Sequence, residues 1–152
     1  MPQTVTSQTT FEPVPRWAKI PHGITFRGDA TSVAVDSNDN VYVFSRGNVP
    51  VTIFDPHGNY LGGWGEGEFM RPHGIFIDHN DDVYLIDDFG HIVQKRNLQG
   101  DIAWTLGTFG EGAKWQGGEP FNRPTDATVS PATGDVFISD GYGNSRVHRY
   151  DA

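Results

Sequence analysis

One stretch of this chain occurs three times, and that repetition limits the fold more than any other feature. SVAVDSNDNVYVFS (residues 32–45) returns 42 residues later as GIFIDHNDDVYLID (74–87), and again as DATVSPATGDVFISD (126–140). Each copy holds two short runs of alternating β-branched or aromatic residues around an Asn/Asp/Gly/Pro turn, the pattern of a tight hairpin. A further strand-like run follows each hairpin: VTIFD (51–55), IVQKR (92–96) and RVHRY (146–150). YLGGW (60–64) and DIAWTL (101–106) add a fourth run to the first two copies. Four antiparallel strands in roughly 40–50 residues make one propeller blade. The chain is therefore expected to be all-β, a β-propeller portion of about three four-stranded blades at 29–69, 70–121 and 122–152. The last blade lacks its outer strand.

The rest of the sequence agrees. With 19 glycines and 10 prolines among 152 residues, a helical bundle is excluded. No stretch holds a 3.6-residue periodicity, so helices should be nearly absent. Residues 1–28 form a separate leading piece. Its first ten residues are polar and rich in Thr, Ser and Gln, which predicts a disordered tail. Residues 11–28 predict an extended segment packed by Phe11, Trp17 and Ile24.

Charge and composition narrow the function classes. A formal net charge of −8 and the absence of a basic block argue against nucleic acid as a partner. Without cysteine the chain forms no disulfide and uses no thiolate. It has no apolar run long enough for a membrane span and no secretory signal, so the default compartment is the cytoplasm. The glycine-rich stretches 65–68 and 107–112 precede no helix and do not read as phosphate cradles. The five aspartates between 78 and 88 lack EF-hand spacing. Asp87 and Asp140 end corresponding strands and should accept turn amide hydrogens.

RPHGIFID, GHIVQKRNLQGD and NRPTDATVSPATGDVFISDGYGNSRVHRY resemble NHL repeats. More closely, the stretch from about residue 16 to 152 resembles the peptidyl-α-hydroxyglycine α-amidating lyase (peptidylamidoglycolate lyase) group and its bacterial NHL relatives. That resemblance implies a six-bladed ring that splits a peptidyl-α-hydroxyglycine into a peptide amide and glyoxylate. It also implies zinc on the ring axis, held by three histidines. His73 in Pro72-His73-Gly74 matches the first ligand, with Gly74 letting the backbone turn to aim it. The other two ligands lie beyond this chain, and Thr31 and Thr125 stand where blade two has His73, so the zinc site is incomplete here. Arg46 matches the arginine that binds the substrate carboxylate, a task suited to the two parallel donors of a guanidinium. Tyr142 matches the catalytic tyrosine; a phenol needs a nearby metal or cation to act as a base near neutrality. Arg146 should brace its strand. Calcium is implied on the axis, held by the backbone carbonyls of Val33 and Ile75. His22, His57, His79, His91 and His148 read as solvent-facing or packing residues.

Two functions stay open from the sequence: a lyase-type site, and a non-catalytic NHL scaffold for a protein, peptide or small ligand. Three blades cannot close a ring, so completion by missing C-terminal blades or by self-association is expected. In the second case the segment 14–27 could add the missing strand to a partner's third blade.

Overall fold

The computed structural model describes residues 10–152; the expected tail at 1–9 lies outside the described residues. Eleven strands form three antiparallel sheets in the order of the repeats, and no helix occurs among the described residues. Blade one runs β1 (Ala30–Val35), β2 (Val41–Ser45), β3 (Val51–Phe54) and β4 (Tyr60–Trp64). Blade two runs β5 (Pro72–Ile77), β6 (Val83–Asp87), β7 (Ile92–Arg96) and β8 (Ile102–Leu106). Blade three has three strands, β9 (Asp126–Val129), β10 (Val136–Asp140) and β11 (Arg146–Tyr150). Each strand pairs with its sequence neighbour, and the three sheets do not close into a ring.

Local chemistry explains the hairpins. Asp36 Oδ1 accepts the amide hydrogens of Asn38 and Asn40, and Asp78 Oδ1 accepts those of Asn80 and Asp82. Asp39 and Asp81 take the left-handed conformation at φ 61° that closes both turns. Short polar side chains tolerate that region best.

Packing between blades follows the two-residue period of the strands. All five residues of β6 are buried, because alternate side chains face opposite neighbours. Val83 and Leu85 join Tyr42, Phe44 and Val51 in the core between blades one and two. Tyr84 and Ile86 join Ala127, Val129 and Ile138 between blades two and three. Phe121, at the end of the long connection from β8 to β9, is fully buried in that second core. On the outer face of blade one, Trp17 packs against buried Phe54, whereas Val33 and Val35 remain 62% and 51% exposed.

The leading segment packs through Trp17 and Ile24, which are half-buried, and not through Phe11. Phe11 is 91% exposed. From Trp17 onwards the segment docks on blade one of its own chain. The Trp17 indole N–H donates to Pro56 O at 3.1 Å, and Lys19 N–H donates to Gly58 O at 2.9 Å. Asn48 binds Gly23 O and the Thr25 amide on the same blade. These contacts hold the segment against blade one of its own chain.

Candidate functional site

The loops before each blade's first strand and after its second emerge at one end of the sheets. The buried carboxylates Asp87 and Asp140 pin these loops. Asp87 accepts the amide hydrogens of Met70, Arg71 and Gly90 at 2.6–2.9 Å. Asp140 accepts the Asn122 amide at 3.1 Å and the His148 ring at 3.1 Å. Blade one has Ser45 at this place, whose hydroxyl accepts the Gly47 amide. The sequence expectation for the two aspartates therefore holds, and each joins the loops of its own blade.

His73 sits on a β-bulge. Pro72 lies opposite Asp87 and Gly74 opposite Ile86, so His73 is the extra residue. A bulge re-aims its side chain away from the alternating pattern. The threonines at the matching positions turn back instead: Thr31 donates to Phe44 O and Thr125 to Ser139 O. His73 reaches into blade three, with Nδ1 2.8 Å from Thr125 O and Nε2 3.3 Å from the Tyr142 hydroxyl. A carbonyl only accepts, so Nδ1 carries the proton and neutral His73 presents a lone pair at Nε2.

Gly74 acts differently from the expectation that it turns the backbone. Its φ is not positive; a Cβ there would lie 2.7 Å from Thr125 O and 2.8 Å from Asp126 Oδ1. The glycine lets β5 approach blade three closely, which brings His73 within reach of Thr125.

Arg46 shares this end. Its Nε donates to Pro72 O at 3.3 Å, and its Nη1 pairs with Asp29 at 2.9 Å. A cleft of about 470 Å³ beside it is lined by Arg27, Asn48, Phe69, Met70 and Pro72, among others. Tyr142 is 47% exposed, and the Arg123 guanidinium lies 4.3 Å from its ring centroid. His73, Tyr142 and Arg46 thus gather at the end of the sheets that their loop positions required.

Metal chemistry has a narrower basis. His73 Nε2 suits a metal ligand, but among the described residues no three His, Asp or Glu side chains form a metal-binding group. This end of the chain offers zinc one imidazole, which does not fit a zinc site by itself. Val33 and Ile75 hold equivalent register positions, opposite Val43 and Leu85, on the inner edge strands. The remaining histidines have other surroundings. His22, His57 and His79 are exposed, His91 Nδ1 accepts the Arg123 amide, and His148 is buried against Asp140. Arg146 braces the β8–β9 connection through Gln116 O rather than its own strand alone.

Sequence reasoning missed a group beside Tyr142. Asp88 is fully buried, and its Oδ2 accepts from Arg71 at 2.8 Å and from Arg123 at 2.9 Å. Both guanidiniums also lie over Phe89, at 4.8 and 4.6 Å from its centroid. The available signal was the Arg-Pro pair that precedes the first strands of blades two and three.

Comparisons with known proteins agree with this architecture. The NHL repeat family matches residues 121–150. NHL repeat-containing protein 3 of Homo sapiens is 36% identical over 137 residues, covering 84% of this chain and 38% of its own length. Peptidyl-alpha-hydroxyglycine alpha-amidating lyase 1 of Drosophila melanogaster is 30% identical over 148 residues, covering 81% of this chain and 27% of its own length. The chain therefore spans well under half of these relatives. Among solved structures, a protein of unknown function from Bacteroides thetaiotaomicron superposes with a TM-score of 0.63 at 21% identity, covering 83% of this chain and 34% of that one. Virginiamycin B lyase from Staphylococcus aureus superposes with a TM-score of 0.55 at 14% identity, covering 80% and 41%. At such identities the structural likeness speaks for the fold alone. No helix among the described residues is long and apolar enough to cross a membrane. With its repeats, its blades and its relatives in accord, the chain carries an NHL repeat at residues 121–150 and is built of β-propeller blades like those of NHL-repeat proteins.

Proposed function

We infer that this chain is the substrate-binding part of an amidating-lyase-type propeller, and that its loop end takes a peptide ending in α-hydroxyglycine. The observation that carries this reading is the contact of His73 Nε2 with the Tyr142 hydroxyl at 3.3 Å, across 69 residues of sequence. Arg46 lies against Pro72, the residue before His73. The 30% identity to a fly protein named as such a lyase supports the same reading. A peptidyl-α-hydroxyglycine ends in a carboxylate next to a carbinol hydroxyl. Arg46 holds the carboxylate, exchanging its exposed contact with Asp29 for the ligand. Tyr142 faces the hydroxyl and accepts its proton as the carbon–nitrogen bond breaks, and a proton passes to the departing nitrogen, leaving glyoxylate and a peptide amide. If further blades supplied two more ligands, His73 Nε2 would be one ligand of a zinc ion that would supply Lewis acidity at that hydroxyl, and the carbonyls of Val33 and Ile75 would hold a structural calcium.

A binding role without turnover is the second reading. The Arg46–Asp29 ion pair at 2.9 Å favours it, because the guanidinium is already partly engaged. The test is titration with a peptide ending in α-hydroxyglycine and with the same peptide ending in a carboxamide. Tight binding of the acid, weakened about tenfold or more in the carboxamide or in Arg46→Gln, is expected. Absence of binding to either peptide overturns both readings. Glyoxylate release by a form carrying the remaining zinc ligands, lost in Tyr142→Phe, decides for the enzyme; the 152-residue chain alone is expected to bind without turnover.

A further inference from the structure

Two arginines share one carboxylate beside the candidate site. Asp88 is 0% exposed, whereas the Arg71 and Arg123 side chains are 30% and 31% exposed. Each makes a single side-chain hydrogen bond among the described residues, and both go to the same atom, Asp88 Oδ2. Asp88 Oδ1 and Arg123 Nε are buried and meet no partner among the described residues. A guanidinium has five N–H donors, so most of the donor capacity of this pair is unspent. Both guanidiniums lie within 4.8 Å of the centroid of Phe89, which is 43% exposed, and that of Arg123 lies 4.3 Å from the Tyr142 centroid, within cation–π range. The neighbouring carboxylate, Asp87, is turned to the backbone amides of Met70, Arg71 and Gly90 and makes no hydrogen bond to either guanidinium.

We propose that Arg71, Phe89 and Arg123 form an accessory subsite for an acidic side chain of the bound peptide, next to the residue that His73 and Tyr142 face. The subsite rests on the peptide reading above for the kind of ligand, and on the unspent donors for its charge. Arg123 links the two places, since it touches both Phe89 and Tyr142. A carboxylate entering here meets two oriented cations at a partly dry surface, where charge-assisted hydrogen bonds are strong. A glutamine in its place gains neither the charge nor the second acceptor.

The experiment compares N-acetylated Glu-Gly with Gln-Gly on the 152-residue chain. Binding is read by calorimetry and by NMR signals of His73 and the arginine Nε–H groups. Both peptides carry the terminal carboxylate for Arg46. The Glu peptide is expected to bind at least tenfold tighter, and to move the Arg71 and Arg123 signals as well as that of His73. Arg123→Gln and Arg71→Gln should bring the two affinities together, with Arg123→Lys restoring part of the difference. A thermal melt of each variant separates lost binding from lost folding, and the wild-type comparison needs no variant at all. Equal affinities with His73 shifted overturn the subsite and leave the peptide reading standing. No binding of either peptide overturns both.

Discussion

Arg46 and Asp88 stand at the same point of successive blades and carry opposite charges. Each follows the residue that ends its blade's second strand, and each pairs with the residue at the matching place before the first strand, Asp29 or Arg71. The ion pair is kept and its polarity is reversed. Blade three has Gly141 at this point, so Arg123 finds no partner in its own blade and crosses to Asp88.

That arrangement separates two variants. Arg46→Gln removes an ion pair whose side chains are 26% and 53% exposed, so it should cost less than about 1 kcal/mol of stability. Asp88→Asn removes a buried charge that holds two arginines and should cost roughly 3 kcal/mol. Urea denaturation of both variants checks the order; equal losses would contradict it.

Gly74→Ala tests the contact between blades two and three. The added methyl carbon meets backbone and side-chain oxygen of blade three at 2.7 and 2.8 Å. A loss of about 1–3 kcal/mol is expected from the overpacking. The ring signals of His73 should shift with it, because the approach of β5 sets its reach to Thr125.

The tautomer of His73 is directly measurable. Nitrogen NMR of the ring should show Nδ1 protonated and Nε2 bare, as the contact with Thr125 O requires. Tyr142→Phe removes the contact at Nε2 and should leave the tautomer unchanged. An Nε2-protonated ring would overturn this assignment of donor and acceptor.

Stability should fall at both extremes of pH, at the end of the blades opposite the candidate site. Burial, then the charges of Asp36 and Asp81, push the Tyr42 phenol up to about 12. The folded state therefore disfavours its ionised form. Stability that is complete below the ordinary phenol value of 10.0 is lost as pH rises through about 12. Tyr42→Phe should flatten this alkaline limb of the melting curve. On the acid side, the Ser37 hydroxyl and amide hold the Asp81 carboxyl below its usual 3.8. Asn59 does the same for Asp55. Their contribution is present above that value and disappears as pH falls through the lowered one; Asp81→Asn should weaken the acid dependence.

By itself the sequence determined the blades. Period-two alternation selects strands, Asp36 and Asp78 close their turns through amides two and four residues on, and each strand pairs with its neighbour in sequence. These are local effects, and a repeat prints them three times. Residues gathered at one end of antiparallel strands were legible for the same reason, so His73, Arg46 and Tyr142 could be assigned to one place. Only the tertiary structure decided which atoms meet there. The contacts of His73 with Thr125 and Tyr142 span 52 and 69 residues, and the reach of Arg123 to Asp88 spans 35. The docking of the segment after Trp17 spans 39 at its indole contact. Such contacts depend on how closely one sheet approaches the next and on where a bulge turns a side chain, and neither alternation nor turn chemistry specifies the spacing between sheets.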